Sequence, residues 1–294
     1  MGRALLPRRP SGEGEHRCPA RADGRTHRLD RTGRRPQCRL GQLRARLQAP
    51  SRAGELEFLM ISDLSGKIAV VTGGGTGMGR ELVRQLAAGG CDVAFCDLSP
   101  DTMAETAAIV AEESPGVRVL THMADVSEET DLEAFRDAIV EGFDTDHIHL
   151  LFNNAGIAGG GSMFETERPA WERTFDVVWG GVYLGCRVFL PLVAAASEGA
   201  VVNTSSVNGF YASVGPDRPH TAYSASKFAV KGFTEALITD LQVHAPHVSA
   251  HVVMPGHIGT KIVANSLRHA AVEPTAEVAE FMIAVDQMFE EQLR

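Results

Sequence analysis

Six short runs of β-branched and apolar residues recur along the chain, at 68–72, 93–96, 117–120, 148–152, 200–203 and 248–253. Longer stretches of helical character fill the gaps, around 77–88, 102–113, 129–142, 169–196 and 222–244. Runs this short and this apolar suit strands buried on both faces, the condition of a parallel sheet between two layers of helices. Strand alternating with helix predicts βαβ units, and right-handed crossovers wind them into an α/β, doubly wound sheet. The pattern predicts one domain over residues 60–294, with no repeat of solenoid length.

Residues 1–59 lack that pattern and are predicted to be an unstructured leader. They hold fourteen Arg, no Lys and six acidic residues, a net of +8, whereas residues 60–294 carry 14 basic and 31 acidic residues, a net of −17. An acidic domain repels nucleic-acid phosphates, so the basic leader does not argue for a nucleic-acid partner. The leader reads as an organelle-targeting segment, as a basic arm, or as sequence upstream of a true start at Met60; the last is favoured, because Met60 leads naturally into the first strand. No uninterrupted apolar run approaches the ~20 residues a bilayer-spanning helix needs. Nor does the N-terminus resemble a secretory signal. The five cysteines form no C-x-x-C pair and suggest neither a zinc site nor a disulfide framework. Reduced thiols in a cytoplasmic protein are the expectation.

The chemistry begins where the first strand runs into Thr72-Gly73-Gly74-Gly75-Thr76-Gly77-Met78-Gly79 and then a helix. Glycines in that position permit a tight turn and close approach of a pyrophosphate, and the helix N-terminus aims N–H groups at it, as in Rossmann-like folds. A flexible turn is the blander reading of any Gly-rich loop, but its placement between strand and helix disfavours it. The second strand reaches Asp97, eighteen residues after Gly79. An acid there bonds the adenosine ribose hydroxyls and repels a 2′-phosphate, so NAD is expected over NADP.

The pattern Thr72-Gly73-x-x-x-Gly77-x-Gly79 resembles the fingerprint of the short-chain dehydrogenase/reductase family. The resemblance continues in order through Asp125-Val126, Asn153-Asn154-Ala155-Gly156, Ser205-Ser206, Tyr223-Ser-Ala-Ser-Lys227 and Pro255-Gly256, and covers essentially all of 60–260. It implies that Gly73, Thr76, Gly77, Met78 and Gly79 hold the pyrophosphate and that Asp125 and Val126 lie by the adenine. It also implies that Asn153, Ala155 and Gly156 line the cleft, that Pro255 and Gly256 border it, and that Ile258 and Thr260 meet the carboxamide. A homodimer or homotetramer through the helices at 169–196 and 222–244 is implied as well.

Tyr223 and Lys227 lie four apart in a helical stretch, so both face one way. An unperturbed tyrosine titrates near ~10, and a nearby ammonium is expected to lower that value toward what a general base requires. By the resemblance, Lys227 also holds the nicotinamide ribose and Ser206, rather than Ser205, bonds the substrate oxygen. The predicted activity is hydride transfer between NAD and a secondary alcohol or ketone. A non-catalytic NAD sensor and an NADPH-dependent ketoacyl reductase are the rivals. Pocket-facing candidates are Ala158, Gly159, Phe210, Tyr211, His257 and Ile262, whose apolar members lean toward a terpenoid or steroid alcohol.

Two departures from the family pattern stand out. Where the family has an asparagine in the helix after the fourth strand, this chain has Val178. A valine side chain cannot hold the relay water that the asparagine helps bind, but its carbonyl could if Gly180 and Gly181 let the helix distort. The second lies after Gly256, where a mobile segment at 261–271 and a helix from Thr275 are expected in place of the family's last strand.

Overall fold

The computed structural model describes residues 61, 63–159, 161–213, 219–256, 262 and 265–266. The leader, His257, Ile258, Thr260 and the helix expected from Thr275 lie outside the described residues.

The elements follow in the order β1 (Ile68–Thr72), α1 (Gly77–Ala88), β2 (Asp92–Asp97), α2 (Pro100–Glu113), β3 (Val119–Met123), α3 (Glu129–Phe143) and β4 (Leu150–Asn153). Then come α4 (Arg168–Phe175), a π-helical turn (Asp176–Gly180), α5 (Gly181–Ala195), β5 (Gly199–Thr204), a 3-10 turn (Val207–Gly209), α6 (Thr221–His244) and β6 (Val248–Val253). All strand pairs are parallel, in the order β3-β2-β1-β4-β5-β6. The order reverses between β1 and β4, and a crevice beyond the carboxyl ends of the strands at such a reversal is where ligands bind in open α/β sheets.

The two-residue period of a strand divides the core. Ile68 and Val70 of β1 join Leu132, Phe135 and Ile139 of α3, Phe189 of α5 and Leu241 of α6 on one face. Ala69 and Val71, one step out of phase, pack with Val83 and Leu86 of α1 and Val110 of α2 on the other. Helix ends follow local chemistry. The Ser99 side chain accepts from Thr102 N at the start of α2, with Pro100 at the first helical position, and Asp144 takes a left-handed conformation (φ 48°) where α3 stops.

The helix expected over 169–196 is not continuous. The π-helical turn interrupts it at the Val178 position and ends on Gly180, the first of the Gly180–Gly181 pair. The whole stretch Arg168–Ala195 is long and apolar enough to cross a membrane. In the fold, however, Val182, Cys186, Val188, Phe189 and Val193 of α5 are buried, as in the core helix of a globular domain.

Candidate active site

Thr72 closes β1 and joins two loops through its hydroxyl, which accepts from Asn154 N (3.0 Å) and Ala155 N (3.1 Å). The Asn154 side chain returns the contact by donating to Thr72 O (3.0 Å) and Gly73 O (3.3 Å). Gly73 has φ +69°, which a side chain rarely tolerates, and a Cβ there would sit 2.8 Å from Ala155 Cα. At Gly79, the third buried glycine position of the loop, a Cβ would overlap Gly73 O and meet Asn154 Nδ2 at 2.7 Å. The loop backbone therefore packs so closely on itself and on Asn154 and Ala155 that Gly73 and Gly79 have no room for a side chain. Gly79→Ala is expected to cost about 1–3 kcal/mol of stability by overpacking and to weaken dinucleotide binding, which a thermal melt and a titration with NAD would both record.

Asp97 ends β2 with its carboxylate fixed by backbone donors. Oδ2 accepts from Gly75 N (2.9 Å), and Oδ1 accepts from Leu98 N (2.8 Å) and Ser99 N (3.4 Å). Asp125 lies past β3 and pairs with Arg173 of α4 (2.7 Å), while Ser127 donates to its other oxygen (2.7 Å). Burial alone would raise the Asp125 carboxyl, but the bonds from Arg173 and Ser127 together outweigh it and hold it below its ordinary range. Val126 is buried against Gly181.

Asn153 departs from expectation. Its side chain does not line the cleft but is 1% exposed beneath the sheet, donating to Asn203 Oδ1 (2.8 Å) and Cys186 Sγ (3.3 Å). Strand alternation explains this: the last residue of β4 points toward α5, and the cradle-side role falls to Asn154.

Tyr223 and Lys227 share one face of α6. The Lys227 amine lies 5.5 Å from the Tyr223 ring centroid, donates to Thr204 O at the end of β5 (2.7 Å), and would sit 3.9 Å from a Cβ on Gly156. The two serines after β5 divide their work. Ser205 donates to Lys227 O (2.8 Å) and is buried, tying β5 to α6, whereas the Ser206 hydroxyl accepts from Asn208 N (3.1 Å) and lies near enough to the Tyr223 phenol to favour its ionised form.

Burial dominates the electrostatics of the pair. Lys227, 3% exposed, is pushed down to about 7, and Tyr223 is pushed above its ordinary value despite the opposing hydrogen bond from Ser206. The expected lowering of the phenol by the ammonium is not what this geometry gives. Burial disfavours the charged form of both groups, and this outweighs the proximity of the amine to the phenol.

Among the expected pocket residues, Phe210 and Tyr211 are mostly exposed, and Gly159 is packed against the Thr174 side chain. Ala158 N donates to Ser266 Oγ (2.8 Å), and Asn265 Nδ2 donates to Thr76 Oγ1 (3.0 Å). Pro255 O accepts from Val207 N (3.0 Å), which joins the end of β6 to the Ser206 turn. The structure thus brings Arg173, Asn265 and Ser266 to the site although no local motif announces them, and gives Asn154 of the Asn153–Gly156 motif the contacts with the glycine loop.

This arrangement of glycine cradle, acid-tipped β2 and Ser–Tyr–Lys cluster is that of a nicotinamide-dependent oxidoreductase. The chain belongs to the short chain dehydrogenase family, whose pattern matches residues 67–271. It is 38% identical over 206 residues to the putative oxidoreductase SadH of Mycobacterium tuberculosis, covering 70% of this chain and 72% of the relative. It is 33% identical over 221 residues to levodione reductase of Leifsonia aquatica, covering 75% and 80%. A Burkholderia phymatum short chain dehydrogenase/reductase solved in complex with NAD superposes with a TM-score of 0.66 at 31% identity, covering 78% of this chain and 79% of that one. Solved relatives of the fold carry NAD or NADP.

Proposed function

We propose that this enzyme moves hydride between NAD(H) and an apolar secondary alcohol or its ketone, with Tyr223 exchanging the hydroxyl proton. The observation that carries the reading is the meeting of Ser206, Tyr223 and Lys227 at the ends of β4 and β5, beside Gly156. The tight backbone turn at Gly73 and Gly79, packed so closely on Ala155 and Asn154 that neither position has room for a Cβ, ahead of the N-terminus of α1, supports a dinucleotide's pyrophosphate at this loop. Thr76, Gly77 and Met78 complete that loop, Asp125 and Val126 border the adenine, and Ala155, Gly156, Pro255 and Gly256 flank the nicotinamide end. Ile258 and Thr260 are assigned to the carboxamide by family resemblance alone. When bound, the nicotinamide supplies the hydride donor or acceptor.

Asp97 supports NAD over NADP. Its Oδ2 accepts one backbone bond and keeps a lone pair for a ribose hydroxyl, and the carboxylate charge opposes a 2′-phosphate. The same charge argues against an NADPH-dependent ketoacyl reductase. Ser206 is placed to donate to the substrate oxygen as charge builds on it. Tyr223 keeps its proton at neutral pH, so it is a loaded acid for ketone reduction; in the reverse direction it needs rising pH or a neighbouring cation. A negative charge developing beside Lys227 favours its protonated form, so the amine supplies that cation as the phenol ionises.

Tyr183 on α5 and Phe228 and Ile238 on α6 are large, apolar and part-exposed, which supports a homodimer or homotetramer through these helices. The test of the activity is NAD-linked oxidation of a panel of terpenoid, steroid and alicyclic alcohols, followed by NADH absorbance. Turnover of at least one supports the reading, and NAD binding without turnover of any would favour a sensor.

Val178 sits inside the π-helical turn and is fully buried. The turn supports a proton relay served by main chain where relatives use an amide side chain. Val178→Asn is expected to cost about 1–3 kcal/mol by burying a polar group and to move the pH–rate profile. An unchanged profile in a folded variant would remove the relay from the account.

A further inference from the structure

Arg80 follows the glycine loop immediately, yet its guanidinium turns back onto the loop. Nε and a terminal nitrogen both donate to Gly75 O (3.0 and 2.8 Å). Nε also reaches Thr106 Oγ1 (2.9 Å), and the terminal nitrogen reaches Glu105 (2.8 Å) and Thr102 O (3.4 Å), all on α2. The buried Thr106 hydroxyl donates to the same Gly75 carbonyl (3.0 Å). On the other side of this residue, Gly75 N holds Asp97 Oδ2 (2.9 Å). Space at the contact is minimal, for a Cβ on Gly75 would lie 2.5 Å from Thr102 Oγ1 and 2.8 Å from Asp97 Oδ2.

We propose that Arg80 is a positioning residue that sets dinucleotide preference, by clamping Gly75 to α2 and so fixing the Asp97 carboxylate at the adenosine ribose. The inference rests on the dinucleotide reading of the site given above. With Gly75 pinned at its carbonyl by a cation and at its amide by Asp97, the carboxylate cannot swing aside. Its Oδ2 is preset for a ribose hydroxyl, and its charge opposes a 2′-phosphate at the same place. A planar fork suits this task, because one guanidinium bonds Gly75, Thr106 and Glu105 at once, a reach that an ammonium lacks.

The test is direct titration of the full-length protein with NAD and, separately, with NADP. Arg80→Met is expected to weaken NAD binding about tenfold, the size of one lost charge-assisted hydrogen-bonding group, while NADP binding changes less than about threefold. Arg80→Lys should recover part of the NAD affinity. Thr106→Val, which removes one partner of the clamp without removing the cation, should weaken NAD about threefold and serves if Arg80→Met fails to fold. Unchanged NAD affinity in the folded variants, or equal weakening of NAD and NADP, would overturn the clamp. A wild-type protein that binds neither dinucleotide would overturn the reading of the site itself.

Discussion

Lys227→Met is expected to produce a protein that is more stable than the wild type at pH 6 and has lost nearly all turnover. Burial holds the Lys227 amine at about 7 against an ordinary 10.5. Each unit of such a shift corresponds to about 1.4 kcal/mol. Below pH 7 the lysine is protonated in both the folded and unfolded chain, so the whole cost of burying a charge is present. Between 7 and 10.5 the unfolded chain holds the extra proton, and wild-type stability climbs with pH; above that range the cost has gone. Methionine fills similar volume without the charge but leaves Thr204 O without its donor, a loss of about 1–3 kcal/mol. The balance is a gain of roughly 2 kcal/mol at pH 6 that shrinks by pH 9. Urea melts at the two pH values measure it, and a variant no more stable than wild type at pH 6 would show that the amine is solvated. The lysine is kept at a cost in stability, as expected of a group retained for binding and proton transfer.

Tyr223→Phe removes one oxygen and is expected to lower turnover about a thousandfold or more, the contribution of a positioned acid–base group plus the orientation it gives. NAD affinity should stay within about twofold, because the cradle and Asp97 are untouched. In the wild type, the raised phenol predicts that alcohol oxidation quickens as pH rises and that ketone reduction persists through neutrality. The variant's residual rate should lose both dependences. Turnover retained in Tyr223→Phe would assign the proton to another group.

Much of this was legible in the sequence, for stated reasons. The bounds of β1, β6 and α1 coincide with the predicted ones, because β-branched runs and a Gly-rich boundary leave little choice. The third strand was expected at 117–120 and lies at Val119–Met123. Among the described residues it has a neighbouring strand on one side only, its burial is partial, and His122 and Thr121 blur the apolar signal. The π-helical turn is invisible to a 3.6-residue period, and only the Gly180–Gly181 pair hinted at it. The motif residues of the cradle and the Ser–Tyr–Lys cluster were legible because their spacing is local or follows strand ends. Arg173 and Asn265 were not, since their partners lie up to 189 residues away in sequence. The direction of the Tyr223 shift was missed for a different reason. Spacing on a helix shows that two groups are neighbours but not how deeply they are buried, and here burial outweighs proximity.

The most direct test of the account is the fate of the hydride. Ketones from the terpenoid, steroid and alicyclic panel are incubated with enzyme and NADH deuterated at the transferring position, and the alcohols are examined by mass spectrometry. The account predicts a product alcohol carrying one deuterium at the carbinol carbon, formed by the wild type and not by Tyr223→Phe. Product alcohol without the label, or no alcohol from any ketone while NADH binds, would contradict it.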